Sequence, residues 1–218
     1  MKEVMRCIIF FFITALAVSQ EISLRMNSLT AVNVTMEEVS YRMKKAIRLK
    51  EMEQGGESIA IVNGLHFSNG TIVIELAGST IPSASPTARG FIGIAFRVQH
   101  RDSMRYDCFY LRPKNGRDID QLRRNHSAQY IAHPSFTWQY LRKEYPGKYE
   151  SYVDLVDGEW TKIKIQVKGE EAKLFVHNAD QPALIINKLH NTESGGGIAL
   201  WIGQETDGYF RNLKISKH

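Results

Sequence analysis

The sequence predicts an all-β fold of antiparallel strands with little helix. From residue 59 onward, runs rich in β-branched and aromatic residues alternate with turn residues, which is typical of short strands. Asn-Gly pairs at Asn63, Asn69 and Asn115 supply the positive φ angles that tight hairpins need. In TKIKIQVKG, residues 161–169, isoleucine and valine alternate with lysine and glutamine. A strand with one polar face belongs to an antiparallel sheet that exposes one side to solvent.

The first element is the segment 35–52, TMEEVSYRMKKAIRLKEM, whose composition also fits an amphipathic helix. We favour two strands joined by a tight turn at residues 42–44. The reason is that the rest of the chain offers no helical layer for such a helix to join.

The later elements follow in chain order. We expect helical turns within 117–127 and 138–145, which lack strand alternation, and a surface loop at 78–86, which is rich in Gly, Ser and Pro. The runs predicted as strands are IAIVNGLHF, NGTIVIELAG, GFIGIAFRV, DCFYLRP, YESYVDL, EWTKIKIQVKG, EAKLFVHN, GGIALWIG and YFRNLKI.

The N-terminus has the pattern of a secretory signal peptide. A cationic start precedes an apolar run over residues 7–18, and small residues mark a cleavage site near Ser19 and Gln20. The apolar run is shorter than the roughly 20 residues that a membrane-spanning helix needs. The sequence therefore predicts a signal peptide at 1–19 and one secreted or periplasmic domain at 20–218, without stable membrane insertion. An uncleaved N-terminal anchor is the alternative.

Cysteine and histidine usage predicts neither a disulfide nor a metal site. Cys108 is the only cysteine beyond the signal peptide, and its strand-like context, DCFYL, indicates a buried, inert thiol. One thiol cannot build the sulfur-rich cage of a zinc site. His100, His126 and His133 have no short ligand spacing on one element. We therefore expect no metal and no cofactor.

Arginine is concentrated between residues 97 and 142. This segment holds eight arginines and one lysine against four aspartates, while the other 19 cations are matched by 19 acids, so it carries the whole net charge of +5. Guanidinium groups form bidentate contacts with carboxylates. The pattern indicates either an acidic ligand or ion pairs within the protein. Nucleic acid is a poor candidate, because an exported chain meets little of it and no reading motif is present.

An ordered series of motifs resembles the concanavalin A-like lectin/glucanase superfamily, in particular its laminin-G-like and 3-keto-disaccharide hydrolase-like jelly rolls. The motifs are GFIGIAFRV, FYLRP, DGEWTKIKIQVKG and GGIALWIGQETDGYFRNLKI, and the resemblance covers residues 28–218. It implies a two-sheet antiparallel jelly-roll sandwich, with Trp160 packed in the core. It also implies a protein that binds or cleaves glycans on a sheet face or at the rim loops.

Strand alternation places Arg97, Tyr110 and Arg112 on the face away from the core, where Gly93 and Ala95 leave room. Aromatic rings that stack on sugars, with arginine forks beside them, are what a glycan site requires. We therefore expect an exported, lectin-like carbohydrate-binding domain, for which acidic glycans are one option. The residues expected to contact the carbohydrate are Arg97, Tyr110, Arg112, Asn115, Arg117, Arg123, Arg124, His126, Gln129, Tyr130, Trp138 and Arg142.

Two other kinds of function stay open, namely an enzyme, either a glycoside hydrolase or a polysaccharide lyase, and a structural or partner-binding domain. A glycoside hydrolase would use paired acids, but Glu144, Glu150 and Asp154 lack the E-x-D-x-x-E spacing of the glucanases and fit ion pairs with arginines better. A polysaccharide lyase would use Arg with Gln, Tyr or His, and those residue types occur here without the order of known lyase motifs. A structural or partner-binding domain without a sugar site requires every arginine of the segment to be paired within the protein.

Overall fold

Two antiparallel sheets packed face to face make up the structure, a computed structural model that describes residues 19–52, 55–100, 103–191 and 194–217. Within these described ranges every strand pair in both sheets is antiparallel, and two short α-helices accompany the strands. The predicted two-sheet, all-β class with little helix is therefore confirmed. The predicted signal peptide lies outside the described residues, apart from Ser19.

The first sheet, sheet A, has the strand order β13-β12-β11-β6-β15-β4-β3, and β1 adds to it by pairing with β15. Its strands are β1 (Ser19–Ile22), β3 (Val34–Tyr41), β4 (Lys44–Glu51), β6 (Gly70–Thr80), β11 (Thr161–Lys168), β12 (Glu171–Val176), β13 (Leu184–Ile186) and β15 (Thr206–Lys217).

The second sheet, sheet B, has the order β10-β9-β8-β7-β14-β5-β2. Its strands are β2 (Leu29–Val32), β5 (Ser58–Val62), β7 (Ile92–His100), β8 (Met104–Leu111), β9 (Ala128–His133), β10 (Glu150–Ser151) and β14 (Gly197–Ile202).

The main core lies between the sheets and is built from alternate residues of their strands. In β11, Ile163, Ile165 and Val167 are buried in it, while Lys164 and Gln166 between them point outward, as the alternation predicts. A second apolar cluster covers the outer face of sheet B, where Tyr106, Cys108 and Tyr110 of β8 lie. That sheet is therefore buried on both faces over its central strands.

The segment predicted as either a helix or a hairpin forms the hairpin β3–β4. Arg42 and Met43 connect the strands with φ angles of 46° and 61°. Positive φ at both central residues is the geometry of a two-residue hairpin turn that matches the strand twist. The prediction of two strands joined by a tight turn is confirmed.

The predicted helical turns are also confirmed, and each begins with a side-chain cap. Asp120 accepts a hydrogen bond from the Leu122 amide at the start of α1 (Gln121–Arg124), and Thr137 accepts one from Tyr140 at the start of α2 (Trp138–Glu144). Two short 3-10 turns lie at Met26–Ser28 and Pro113–Asn115. Within the described residues, no helix is long and apolar enough to cross a membrane.

Several local expectations are wrong. Gly64 and Gly70 have the predicted positive φ angles, but Asn63-Gly64 and Asn69-Gly70 lie where β5 of sheet B leads into β6 of sheet A and are not hairpin turns. Of the predicted strand YESYVDL, only Glu150–Ser151 forms a strand.

Gly116 has φ −57°, so Asn115-Gly116 is not a hairpin turn. A Cβ on Gly116 would lie only 2.4 Å from the Leu155 nitrogen, so glycine is needed here because the two backbone segments approach closely. Trp160 packs against the outer face of sheet A, near Tyr41, rather than in the main core. Strand β9 went unpredicted because its outward and inward residues are both largely buried, which removes the polar alternation of a one-sided strand.

Candidate functional site

A cleft of about 460 Å³ opens on the outer face of sheet B, and two aromatic side chains that contact each other at a tilt are part of its lining. Tyr110 on β8 and Trp201 on β14 lie opposite Gly93, which belongs to the strand between them. A Cβ on Gly93 would lie 2.6 Å from the Tyr110 Cβ, so glycine is what allows the rings to approach. Their centroids are 4.8 Å apart. The sequence-based expectation that Gly93 leaves room on this face is confirmed.

Two more aromatic side chains complete the walls. Phe91 meets Tyr110 edge-on, with ring centroids 6.2 Å apart. Trp138, the first residue of α2, lines the cleft and is 39 % exposed, so part of its ring is open to a ligand. The remaining walls come from segments at 55–58, 87–88, 131–139 and 202–205.

Glu57 and His133, which line the cleft, form a polar group with Tyr106 of β8. The Tyr106 hydroxyl accepts a hydrogen bond from Trp201 Nε1 at 3.1 Å and donates one to Oε2 of Glu57. His133 Nδ1 lies 3.1 Å from Oε1 of Glu57, and the His133 ring stacks on Tyr106 at 5.1 Å. His133 Nε2 has no hydrogen-bond partner among the described residues. A carboxylate that holds Nδ1 leaves Nε2 to act as an acceptor or a base.

Behind Trp138, a buried ion-pair network contains several of the predicted ligand residues. Arg112 donates hydrogen bonds to the Tyr110 hydroxyl at 2.8 Å and to Gln129 Oε1 at 2.9 Å, and it contacts Glu150 at 3.3 Å. Glu150 also pairs with Arg142, and His126 Nδ1 lies 2.9 Å from it. Asn115 adds a hydrogen bond to the His126 carbonyl oxygen at 3.3 Å.

This network holds the aromatic wall in place rather than lining the cleft. The Cζ atoms of Arg112 and Arg142 lie 5.8 and 4.7 Å from the Trp138 ring centroid, so both guanidinium groups contact that ring. Burial raises the pKa of Tyr110 to about 12, so its hydroxyl stays neutral and accepts the bond from Arg112. The arginines in this part of the segment therefore support Tyr110 and Trp138.

The other predicted arginines of this loop lie on the exposed side of the fold. Arg117 makes a bidentate pair with Asp154 at 2.8 and 2.9 Å, and Arg124 donates to the Tyr152 hydroxyl at 2.9 Å. Arg123 pairs with two aspartates of its own loop, Asp118 at 3.3 Å and Asp120 at 3.6 Å. None of these three arginines lines the cleft on sheet B.

Arg97 does not lie on the face that alternation predicted. It sits at a β-bulge with φ 54°, and its side chain donates to the carbonyl oxygens of Ser68 and Gly169, which belong to loops of sheet A. The extra residue reverses the sides of the strand, so that Val98 joins the outer cluster instead. The predicted placement of Arg97 is therefore wrong, since its guanidinium bridges the two sheets.

Tyr130 is fully buried in the main core and offers no surface to a ligand. Its hydroxyl donates to Asp107 Oδ1 at 2.6 Å, and Asp107 also accepts from the Asn191 amide. Burial of Asp107 raises the pKa of its carboxyl to about 6, although the bond from Tyr130 works in the opposite direction. Of the twelve predicted contacts, only Tyr110 and Trp138 line the cleft.

Sequence reasoning missed Glu57, Phe91, Tyr106 and Trp201 and treated His133 as a loop histidine. A signal was present for two of them. Alternation puts Tyr106 on the same face as Tyr110, and Trp201 on the face of the small residue Ala199. Glu57 lies in a polar loop and reaches His133 across the fold, which no local pattern reveals.

Solved structures with a similar fold include a carbohydrate-binding module, a protein with a galectin-like fold and the exoplasmic/lumenal domain of VIP36. A carbohydrate-binding module, CBM66, from Bacillus subtilis is 13 % identical, with 87 % of this chain and 96 % of that chain covered and a TM-score of 0.57. A Bacillus subtilis protein of unknown function with a galectin-like fold is 9 % identical (88 % and 90 % covered, TM-score 0.57). The exoplasmic/lumenal domain of VIP36, in its Ca²⁺/Man3GlcNAc-bound form, is 9 % identical (88 % and 84 % covered, TM-score 0.55).

At these identities the likeness shows the fold, which is the concanavalin A-like jelly roll that the sequence motifs predicted. No family model matches the chain, and no curated protein matches it. Within the described residues, no group of three or more His, Cys, Asp or Glu side chains is arranged to hold a metal ion.

Proposed function

We propose that this protein binds a carbohydrate in the cleft on the outer face of sheet B. The observation that carries the proposal is the exposed ring of Trp138 and the half-buried ring of Phe91, backed by the buried rings of Tyr110 and Trp201, next to the polar side chains of Glu57 and His133. The apolar face of a sugar ring packs on aromatic rings, and a few fixed polar groups select its hydroxyl pattern. CBM66 and the Man3GlcNAc-bound VIP36 domain share the fold, which supports the proposal by analogy.

The lining of the cleft favours a neutral sugar over an acidic one. Glu57 and Glu205 are its charged residues, and among the described residues no lysine or arginine lines it. A uronate or sulfate group would meet carboxylates there, which costs free energy. The arginines expected to neutralise such a group pair instead with Glu150, Asp154 and the aspartates of their own loop. A neutral glycan is therefore the ligand class that we propose for this cleft.

Export remains part of the proposal. Its support is the cationic start, apolar run and small-residue cleavage pattern of residues 1–19. A secreted or periplasmic protein meets polysaccharides and little nucleic acid, which agrees with a sugar as the partner.

The test is a glycan array with neutral, uronate and sulfated sugars, followed by titration of the best ligand with tryptophan fluorescence as the readout. Trp138→Ala should weaken binding about tenfold, because one stacked ring contributes on the order of 1 kcal/mol beyond the area it buries. Tyr152→Ala is the matched control, because Tyr152 is 43 % exposed, like Trp138, and lies outside the cleft. Equal losses in the two variants would contradict the proposal. So would a Trp138→Ala variant that loses affinity for acidic sugars but keeps its affinity for neutral ones.

A second candidate is an enzyme acting on the same ligand, and the Glu57–His133 pair favours it. A histidine whose Nδ1 is held by a carboxylate can act as a general base through Nε2. His133→Ala would abolish product release from a polysaccharide panel if the protein is an enzyme. In a binding protein no product forms, and the same change lowers affinity only.

A third candidate, a structural or partner-binding domain, gains support from the pairing of the arginines. Of the seven described arginines between residues 97 and 142, only Arg105 has no side-chain hydrogen bond or ion pair within the described part of the chain. Absence of any sugar binding on the array would favour this candidate.

A further inference from the structure

The outer face of sheet A carries a row of lysines that is independent of the cleft. We call Lys162, Lys164 and Lys168 of β11 together with Lys173 of β12 the lysine ladder. Three of these side chains are exposed and Lys164 is half-buried, with its Nζ 4.0 Å from the Phe175 ring centroid. All four occupy outward positions, because the residues between them on the same strands pack into the core.

Few acids lie near the ladder in the described part of the chain. Among the described residues, none of its four lysines makes an ion pair. Glu171, opposite Lys168, is the one acid at the outward positions of these two strands. The nearest acid on the neighbouring strand, Glu75, lies opposite Lys162 but contacts Lys44 and Arg211 and accepts a hydrogen bond from Asn212. A local surplus of positive charge therefore faces solvent.

The spacing of the ladder is regular. Strands rise about 3.4 Å per residue, so Lys162 and Lys164 lie about 7 Å apart along β11, and Lys168 lies about 14 Å further along. Lys173 is opposite Gln166, midway between Lys164 and Lys168, on the adjacent strand about 5 Å away. The four charges thus follow each other at steps of about 7 Å over about 20 Å.

We propose that the lysine ladder binds a linear acidic polysaccharide, whose carboxylate or sulfate groups recur along an extended chain. Ammonium groups on flexible stems contact repeated anions without demanding one geometry. A single-stranded nucleic acid would need aromatic rings on which bases stack. Phe175, the aromatic residue on the outer face of these two strands, lies beneath Lys164 and is only 7 % exposed. The polysaccharide is therefore the polyanion that this surface fits.

The experiment measures binding of soluble polygalacturonate and heparin at low and physiological salt. The test variant replaces Lys162, Lys168 and Lys173 with glutamine. The control variant replaces Lys45, Lys143 and Lys148 with glutamine; these are exposed lysines elsewhere on the protein. Both variants lower the net charge from +5 to +2. The ladder variant should bind about tenfold more weakly, since each exposed charge contact contributes roughly 0.2–1 kcal/mol, and the control variant should change less than about twofold.

Three results would overturn the proposal. Wild-type protein could bind neither polyanion, the two variants could lose affinity equally, or an oligonucleotide could bind as tightly as the polysaccharides. This test is separate from that of the cleft. Trp138→Ala should leave polyanion binding unchanged, and the ladder variant should keep its affinity for a neutral glycan.

Discussion

Glu150→Gln should destabilise the protein strongly, although it replaces one oxygen with an amide group. The Glu150 carboxylate is 2 % exposed and the Arg112 guanidinium 5 %, so both charges are out of water. Removing one member of a buried ion pair costs about 3–5 kcal/mol, because the other charge is left unpaired. Arg112 keeps three neutral acceptors, namely the His126 carbonyl, the Tyr110 hydroxyl and Gln129. The lower end of that range, about 3 kcal/mol, is therefore expected.

Thermal unfolding followed by circular dichroism measures the effect. For a domain of this size, 1 kcal/mol shifts Tm by about 2–4 °C, so Glu150→Gln should lower Tm by about 6–12 °C. Asp154→Asn is the matched control, because it breaks the ion pair with Arg117, whose two side chains are 63 % and 53 % exposed. An exposed pair contributes less than about 1 kcal/mol, so Tm should fall by less than about 4 °C.

The same variant tests whether the network holds the cleft. Without the Glu150 charge, Arg112 and Arg142 lose the anion that positions both of them against Trp138. Glu150→Gln should therefore also weaken ligand binding at a temperature where the variant is folded, whereas Asp154→Asn should not. If the two variants have the same Tm within about 2 °C, the inference that Glu150 compensates a buried charge is wrong.

Two further predictions concern other parts of the fold. The carboxyl of Asp107 has its pKa raised from 3.8 to about 6 by burial, so ionising it opposes folding: the penalty is absent below pH 3.8 and complete above pH 6. Asp107→Asn removes this penalty. The free energy of unfolding of the variant minus that of wild type, measured in urea, should therefore be larger at pH 7.5 than at pH 4 by up to about 3 kcal/mol. An equal difference at the two pH values would contradict this. Met43 is 98 % exposed at φ 61°, so Met43→Gly relieves backbone strain without losing packing and should raise Tm by about 2–4 °C; a lower Tm would show that the turn is not strained.

The features that sequence reasoning predicted are those that depend on neighbours along the chain. Alternation of apolar and polar residues in β11 determines which of its residues face the core. The turn at Arg42 and Met43 lies where the strand pattern of β3 ends and that of β4 begins. The helical turns within 117–127 and 138–145 are predicted from the lack of strand alternation, and in the structure each begins after a capping residue, Asp120 or Thr137. Each of these is decided within about five residues, over which local propensities act.

The features that it missed depend on contacts between distant segments. Arg97 occupies an extra position in β7, and one added residue turns every later side chain to the other face. Strand β9 looks irregular because Gln129 is buried by Arg112 and by two backbone carbonyls, one of them from the segment before β10. The hydrophobic pattern of a strand depends on which of its residues are buried. Gln129 of β9 is buried in part by Tyr149, which is 20 residues away in the sequence.

The arginine segment shows why local charge does not identify a site. Residues 97–142 alone have five more positive than negative charges. However, Glu150 pairs with Arg112 and Arg142, and Asp154 pairs with Arg117, and both acids lie just after this segment in the sequence. A loop can bring its arginines to any acid that the fold supplies, so the surplus does not predict free charge. The lysines of β11 differ, because alternate positions on a sheet must point away from the core and cannot reach a buried acid. Lys162, Lys164 and Lys168 therefore stay without an ion pair in the described part of the chain, and they belong to the surface for which we propose a polyanion, whereas Arg112 and Arg142 contact Trp138 of the cleft.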